Sequence, residues 1–279
     1  KKYLERLGNE VKIVAPASNA DAKEVADIEI PSLSLPRTQY RFILLSRRSR
    51  VVLEAKMGNF NPDIVHIQGI YSAGILGIEY ARKNNIPVVE TIHDNYRYAV
   101  KNIIPVGHLV DLYLRKSLSR ALDSKVKNYI SARMQNADMI TVPSKHFYEK
   151  LGGGSKYPEA EIIPNGVDDD VVSSIKKSRN KETGKDSRVI VWAGRLVAEK
   201  RPISAVHSVH AAGAELDMYG EGPLKSELNR MISQFDSDKI KLKGEVEYGV
   251  LLERMSQAAA VLLSSIDFET QGMVLCESI

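Results

Sequence analysis

Two kinds of pattern alternate along this chain. Short apolar runs rich in β-branched residues are each followed by a longer stretch in which apolar positions recur at helical spacing. In the first half the runs are VKIVA from Val11, IVHIQ from Ile64, PVVETIH from Pro87, MITVPS from Met139 and EIIP from Glu161, with YSAGILGIEYARKNN among the helical stretches. The second half repeats the plan with VIVWAG, ELDMYG, IKLKG and AVLLSS, separated by helices through PISAVHSVHAAG and PLKSELNRMISQF and a third after IKLKG. A further helix is predicted to begin near Gly272. This alternation predicts α/β architecture, with parallel sheets covered by helices. Residues 167–187 are polar and lack periodicity, so they read as a linker between a first domain, 1–166, and a second, incomplete one, 188–279. Two doubly wound sheets facing each other would bind ligands at the carboxyl ends of their strands, in the intervening cleft.

Composition narrows the functional classes. A chain of 279 residues with 43% apolar content can bury a sizeable core. No apolar run approaches the roughly 20 residues that span a bilayer, and KKYLERLGNEV is not a signal peptide. A cytoplasmic location is expected. The single cysteine, Cys276, excludes an internal disulfide framework and reads as a small buried apolar residue. A net charge of +4 gives no nucleic-acid footprint.

Candidate chemistry clusters at the strand ends of the second half. GRLVAEKR follows VIVWAG, so Arg195 and Lys200 emerge from the first turn of that domain. IDFETQG follows AVLLSS and leads into the Gly272 helix, where a glycine allows close approach and the amides of Met273 and Val274 favour a phosphate. Carboxylates beside a diphosphate are tolerable only if cations and amide dipoles compensate, which Arg195 and Lys200 could supply. Glu269 and Glu277 suit sugar hydroxyls, since each carboxylate accepts from two neighbouring OH groups.

GRLVAEKR, MYGEGPL, LKGEV and FETQGMVLCE, in that order, resemble the carboxyl domain of retaining GT-B glycosyltransferases of family 4, whose hallmark is two glutamates separated by seven residues, as Glu269 and Glu277 are. PDIVHIQG, IPVVETIHD, ADMITVPS and IIPNGVD resemble the family's amino-terminal domain. The resemblance implies two Rossmann-like domains facing a cleft. It implies that Arg195 and Lys200 bind the donor's diphosphate, that Glu277 holds the ribose and that Glu269 contacts the transferred sugar. Gly272, Met273 and Val274 then approach the sugar and distal phosphate, Gly244 and Val246 meet the base through main-chain groups, and His93 sits near the reacting centre. His93, Glu269, Arg195 and Lys200 are thus the catalytic candidates. Asn165 and Gly166 lie where the chain passes between domains. The family's first strand and its closing elements are absent, so the chain is expected to be truncated at both ends.

The implied activity is metal-independent transfer of a hexose, with glucose the first guess, from a UDP-sugar or alternatively a GDP-sugar to a lipid or polysaccharide hydroxyl, with retention and no cofactor. The alternatives are a sugar-nucleotide epimerase on the same scaffold and a noncatalytic partner subunit. Arg97, Lys101, Arg115, Lys116, Arg120, Lys125, Lys127 and Arg133 outnumber Asp111 and Asp123 in one segment, which together with PSLSLPRTQYRFILLSRRSR could approach an anionic membrane or acceptor. These stretches resemble bacterial enzymes that glucosylate diacylglycerol; the equally good reading is a solvated helix face.

Other signals read as structural. His66 lies in a strand predicted to be buried and is expected to be a core histidine, and the position two residues on, often histidine in the family, is Gln68. Ser144 reads as an N-cap. GEGPLK has Lys225 where a dinucleotide fingerprint needs its third glycine, and GGGSK at Gly152 reads as a turn. Asp168 with Asp170, and Asp236 with Asp238, are expected to be caps or solvated loops rather than metal ligands.

Overall fold

The computed structural model describes residues 1–17, 26–34, 41–69, 71–93, 136–151, 160–170, 172–173, 188–235, 238–265 and 269–278. It divides into two compact units, Lys1–Ile163 and Pro164–Ile279.

In the first unit a short helix α1 (Lys2–Arg6) precedes β1 (Val14–Pro16), which pairs in parallel with β2 (Ile28–Ile30). β3 (Ser32–Ser34) and β4 (Arg41–Ile43) form an antiparallel pair. A four-stranded parallel sheet runs β5 (Val65–Ile67), β6 (Val88–Thr91), β7 (Met139–Val142), β8 (Ala160–Ile162) in that spatial order. These four strands, like β1, match predicted runs; Ile67, Val88 and Val142, with Ile92 just beyond β6, are core positions, whereas Met139 and Ile162 are exposed. The pattern missed β2, β3 and β4, although β1, β5 and β8, equally short, were predicted.

It also missed α2 (Arg47–Met57), whose first turn is basic where the helix dipole favours acids. Two local devices offset that. Ser46 caps the helix by accepting from the Ser49 amide at 3.2 Å, and Arg50 forks onto Glu79 at 2.8 and 2.9 Å. Glu79 lies on α3 (Ser72–Lys83), which packs on β5 so closely that a Cβ on Gly77 would sit 2.8 Å from Ile67 Cδ1. α4 (Lys145–Leu151) begins where expected, with Ser144 Oγ accepting from the Phe147 amide.

The second unit holds a parallel sheet in the order β11 (Ile240–Gly244), β10 (Glu215–Tyr219), β9 (Val189–Ala193), β12 (Ala260–Val261). α5 (Pro202–Ala211) buries Pro202, Ala205, Val206 and Val209, one stripe at three- and four-residue spacing. α6 (Lys225–Ile232) contributes Leu228, and Trp192, Leu196, Leu216, Met218 and Ile240 complete the cluster. On the other face α7 (Tyr248–Gln257) buries Leu252 and Met255 against Val191, Ala193 and Tyr219. The last helix, α8 (Met273–Glu277), follows Gly272. Helices on both faces with parallel strand order make this unit doubly wound. Most of 167–187, read as a linker, lies outside the described residues, as do the whole basic segment 97–133, GGGSK and Asp236.

Candidate functional site

The carboxyl edge of the second sheet is tied together by its own main chain. Beyond β9 the Gly194 amide donates to Tyr219 O at 3.0 Å and that of Leu196 to Glu221 O at 2.9 Å, while beyond β10 the Gly220 amide donates to Gly244 O at 2.8 Å. Gly220 (φ +128°) is what permits this approach: a Cβ there would lie 2.0 Å from Gly194 O. The GEG of GEGPLK therefore serves loop-to-loop packing, in line with its failure as a dinucleotide fingerprint. The loop carrying Arg195 and Lys200 is thereby held against the one leading to Gly244.

Lys200 ends a 3-10 turn, Ala198–Lys200, and its ammonium donates to Glu269 Oε1 at 2.5 Å. Ser265 Oγ donates to the same oxygen at 2.6 Å, which sets the carboxylate's orientation. Both Lys200 and Glu269 are about four-fifths covered, at 21% and 23% side-chain exposure. The pair is screened less than a surface bridge and its geometry is correspondingly defined. Arg195 is more open and stands 3.5 Å from Glu199 Oε1. Each candidate cation thus already faces a carboxylate. Gly272 takes a left-handed conformation (φ 72°, ψ 53°), and the place its Cβ would occupy faces Leu263 Cδ2 at 3.5 Å, beside the segment that supplies Ser265. Gln271 secures the same turn. Its amide accepts from the Asn165 amide at 2.7 Å and donates to Asn165 O at 3.1 Å.

Glu277 makes a separate contact: the Tyr248 hydroxyl donates to its Oε1 at 2.9 Å. Burial first, then that bond and the charges of Glu277 and Asp168, push the Tyr248 hydroxyl up to about 12. Val246 and Val274 pack against one cluster, so α7 and α8 share a wall. Of the predicted donor residues, then, Arg195, Lys200, Glu269 and Gly272 fall in turns and loops after the strands, and Met273 opens α8. Gly244, Val246, Val274 and Glu277 line the same strand-end region by way of β11, α7 and α8. Cys276 is half-buried rather than buried, with Gln271 Nε2 donating to its sulfur at 3.8 Å.

His93 belongs to the first unit, just beyond β6, and takes part in a chain of hydrogen bonds there. Its Nε2 donates to Gln68 Oε1 at 2.5 Å, and the Gln68 amide lies 3.1 Å from His66 Nε2. His66 Nε2 is also 2.6 Å from Thr91 Oγ1, which meets Thr141 Oγ1 at 2.7 Å. Partial desolvation, then the charge of His93, hold His66 below the usual imidazole value. A neutral His66 can accept from the Gln68 amide, so the amide's carbonyl is left facing His93 and fixes Nε2 as the protonated nitrogen. The expectation of a core His66 is corrected here. The three-residue β5 is an edge of its sheet among the described strands, and His66 is exposed.

Asp168 Oδ1 accepts from the Asp170 amide at 3.0 Å, the geometry of a cap. No group of three or more His, Cys, Asp or Glu side chains is arranged to hold a metal among the described residues. Sequence reasoning missed Tyr248, Ser264, Ser265 and the bridging role of Gln68. Hydroxyl and amide side chains carry no periodic or spacing signal, and their partners lie 2 to 72 positions away.

Comparison with known proteins bears on the family and the fold. The model for Glycosyltransferase Family 4 matches residues 1–171, and that for glycosyl transferases group 1 matches 174–279. An alpha-monoglucosyldiacylglycerol synthase of Acholeplasma laidlawii is 27% identical over the whole chain, and one of Streptococcus pneumoniae 24%. The chain spans 72% and 64% of those two proteins' lengths. Among solved structures, the pneumococcal O-GlcNAc transferase GtfA with UDP and GlcNAc aligns at TM-score 0.57 and 20% identity, over 86% of this chain and 44% of that one. WaaG, a glycosyltransferase involved in lipopolysaccharide biosynthesis, aligns at 0.56 and 14%, over 99% of this chain and 72% of that one. These likenesses establish the fold as GT-B, and the family models, covering both units, establish that the chain belongs to glycosyltransferase family 4.

Proposed function

We propose that this chain carries the donor-binding and reacting groups of a retaining hexosyltransferase that moves glucose from UDP-glucose to a lipid hydroxyl. The observation that carries this reading is the Lys200–Glu269–Ser265 cluster at the carboxyl edge of the second sheet, with Arg195 in the same loop as Lys200. A nucleoside diphosphate arriving there meets one ammonium and one guanidinium. Glu269, aligned by Ser265 and Lys200, is left to accept from hydroxyls of the sugar. Glu277, with Oε1 engaged by Tyr248, presents its remaining acceptor capacity to the ribose diol. In this reading compensation of the diphosphate by Arg195, Lys200 and the main chain at Gly272 makes a divalent ion unnecessary.

The chemistry then follows from where charge develops. The bond from the anomeric carbon to the phosphate oxygen breaks, putting negative charge on that oxygen and positive charge on the sugar. Fixed cations beside the phosphate lower the barrier because they need no reorganisation at that moment. The acceptor oxygen bonds to the anomeric carbon on the face the diphosphate leaves, and its proton passes to the departing phosphate oxygen. Glu269 positions the sugar and His93 contributes a hydrogen bond and charge stabilisation. The relatives' name supports glucose, diacylglycerol and an α product, and an α product from an α-linked donor entails retention. UDP is the nucleotide in the GtfA complex, while GDP remains the alternative base.

A peripheral position on an anionic membrane face belongs to the same reading. No helix among the described residues is long and apolar enough to cross a membrane. Leu44, Leu45 and Val51 are nonetheless exposed, close in the chain to the exposed Arg47 and Arg48. Apolar side chains next to cations suit a lipid headgroup layer, at about 1 kcal/mol per basic residue. The test incubates the chain with UDP-glucose and vesicles holding diacylglycerol and an anionic lipid, in the presence of EDTA. Release of UDP with formation of α-glucosyldiacylglycerol is expected. Donor epimerisation without an acceptor, or turnover that EDTA abolishes and a divalent ion restores, would contradict the reading.

A further inference from the structure

We infer that Ser264, oriented by the Trp192 indole, is a positioning residue that sets where the Lys200 ammonium stands. The inference rests on the reading of Lys200 as a diphosphate ligand. A lysine ammonium is a compact charge on a flexible stem, so its location is no better defined than the main chain that bears it. Lys200 sits at an awkward place. It closes a 3-10 turn, and the next residue, Arg201, is left-handed at φ 50°, ψ 46°, a conformation that a side-chain-bearing residue adopts only when its surroundings enforce it.

The enforcing contacts come from the segment after β12. Trp192 Nε1 donates to Ser264 Oγ at 2.9 Å, and Ser264 Oγ lies 2.6 Å from Lys200 O. The direction of both bonds is determined by chemistry. An indole nitrogen can only donate, so Ser264 accepts from it, and a carbonyl can only accept, so the one hydroxyl proton goes to Lys200 O. Trp192 is 2% exposed and belongs to the main core cluster, which makes its N–H a rigid reference point. The adjacent Ser265 fixes the Glu269 oxygen that receives the Lys200 ammonium. Neighbouring hydroxyls thus hold the two ends of the same lysine: Ser264 its carbonyl, Ser265 the partner of its side chain. A buried indole that had only to be satisfied could use any nearby carbonyl. Here its partner passes the constraint on to a single residue of the cation pair.

The test measures binding of UDP and GDP, with uridine and guanosine as phosphate-free comparisons, by titration calorimetry on the full chain. Ser264→Ala is expected to weaken the tighter-binding diphosphate roughly three- to tenfold while leaving the nucleoside unchanged. Ser264→Thr, which keeps the hydroxyl, should restore affinity to within about twofold of the parent. Lys200→Ala should weaken the diphosphate about tenfold or more, and adding Ser264→Ala to it should cost nothing further, because no ammonium remains to be placed. Trp192→Phe, which keeps a ring in the core, should reproduce Ser264→Ala and carries the test if that variant does not fold. Equal losses for nucleoside and diphosphate, or full additivity with Lys200→Ala, would overturn the positioning role. An unchanged diphosphate affinity in Lys200→Ala would instead sink the reading of Lys200, and the inference with it.

Discussion

Replacing Gly220 by alanine puts the strand-end architecture to a quantitative test. The added Cβ would stand 2.0 Å from Gly194 O and 2.9 Å from Gly194 C, both main-chain atoms that no rotamer change can move aside. Restoring contact to the usual range near 3.5 Å requires the two loops to part by more than about 1 Å. Three costs follow. At φ +128° an L-residue is strained by about 1–3 kcal/mol. Overpacking adds about 1–3 kcal/mol. Parting the loops also weakens the Gly220-to-Gly244 and Gly194-to-Tyr219 hydrogen bonds, at 2.8 and 3.0 Å, each with about 1 kcal/mol at stake. With both bonds lost the sum is about 4–8 kcal/mol, a large share of the roughly 5–15 kcal/mol that typically holds a domain together. Differential scanning calorimetry and urea unfolding should both register it, as a fall in melting temperature of roughly 10 °C or more. Because Arg195 follows Gly194 directly, diphosphate affinity should fall as well. Gly249→Ala is the control. It lies in α7 with no atom within 4 Å of its would-be Cβ, and should stabilise by about 0.5–1 kcal/mol. A Gly220→Ala protein melting within about 2 °C of the parent would show that the close approach is not what holds this edge.

Gln68→Leu removes the bridge between His66 and His93, so turnover should drop roughly tenfold with donor affinity within about twofold, if His93 acts at the reacting centre and needs a fixed ring; an equal loss in KM and kcat would point to general damage instead. Tyr248→Phe offers a pH signature. The hydroxyl's folded value of about 12 lies above the unfolded value of 10.0, so its contribution to stability is complete below pH 10 and is lost as pH rises toward 12. Absorbance titration of tyrosinate should show a late-ionising signal that Tyr248→Phe reduces by one tyrosine, the raised Tyr219 accounting for part of what remains; an unchanged late signal in the variant would refute the assignment.

Much of the site was legible in the linear chain because its chemistry sits at strand ends, and strands that are buried on both faces announce themselves as apolar runs. VIVWAG and AVLLSS located the loops carrying Arg195, Lys200 and Glu269, and the helix predicted to begin near Gly272 is α8. α2 was obscured by its basic start, which is stabilised by partners outside the helix's own pattern.

What the sequence determined by itself was the alternation of strand and helix, and therefore the parallel sheets and the strand ends at which the candidate residues lie, since periodicity is a local property of the chain. Only the tertiary structure decided which groups meet there: that Lys200 faces Glu269, that Ser264 joins the Trp192 indole to the Lys200 carbonyl, that Tyr248 holds Glu277, and that Gln68 links His66 to His93. Hydrogen bonds extend about 3 Å and depend on direction, so they are specified by the relative placement of packed elements and leave no periodic trace in the residues that make them.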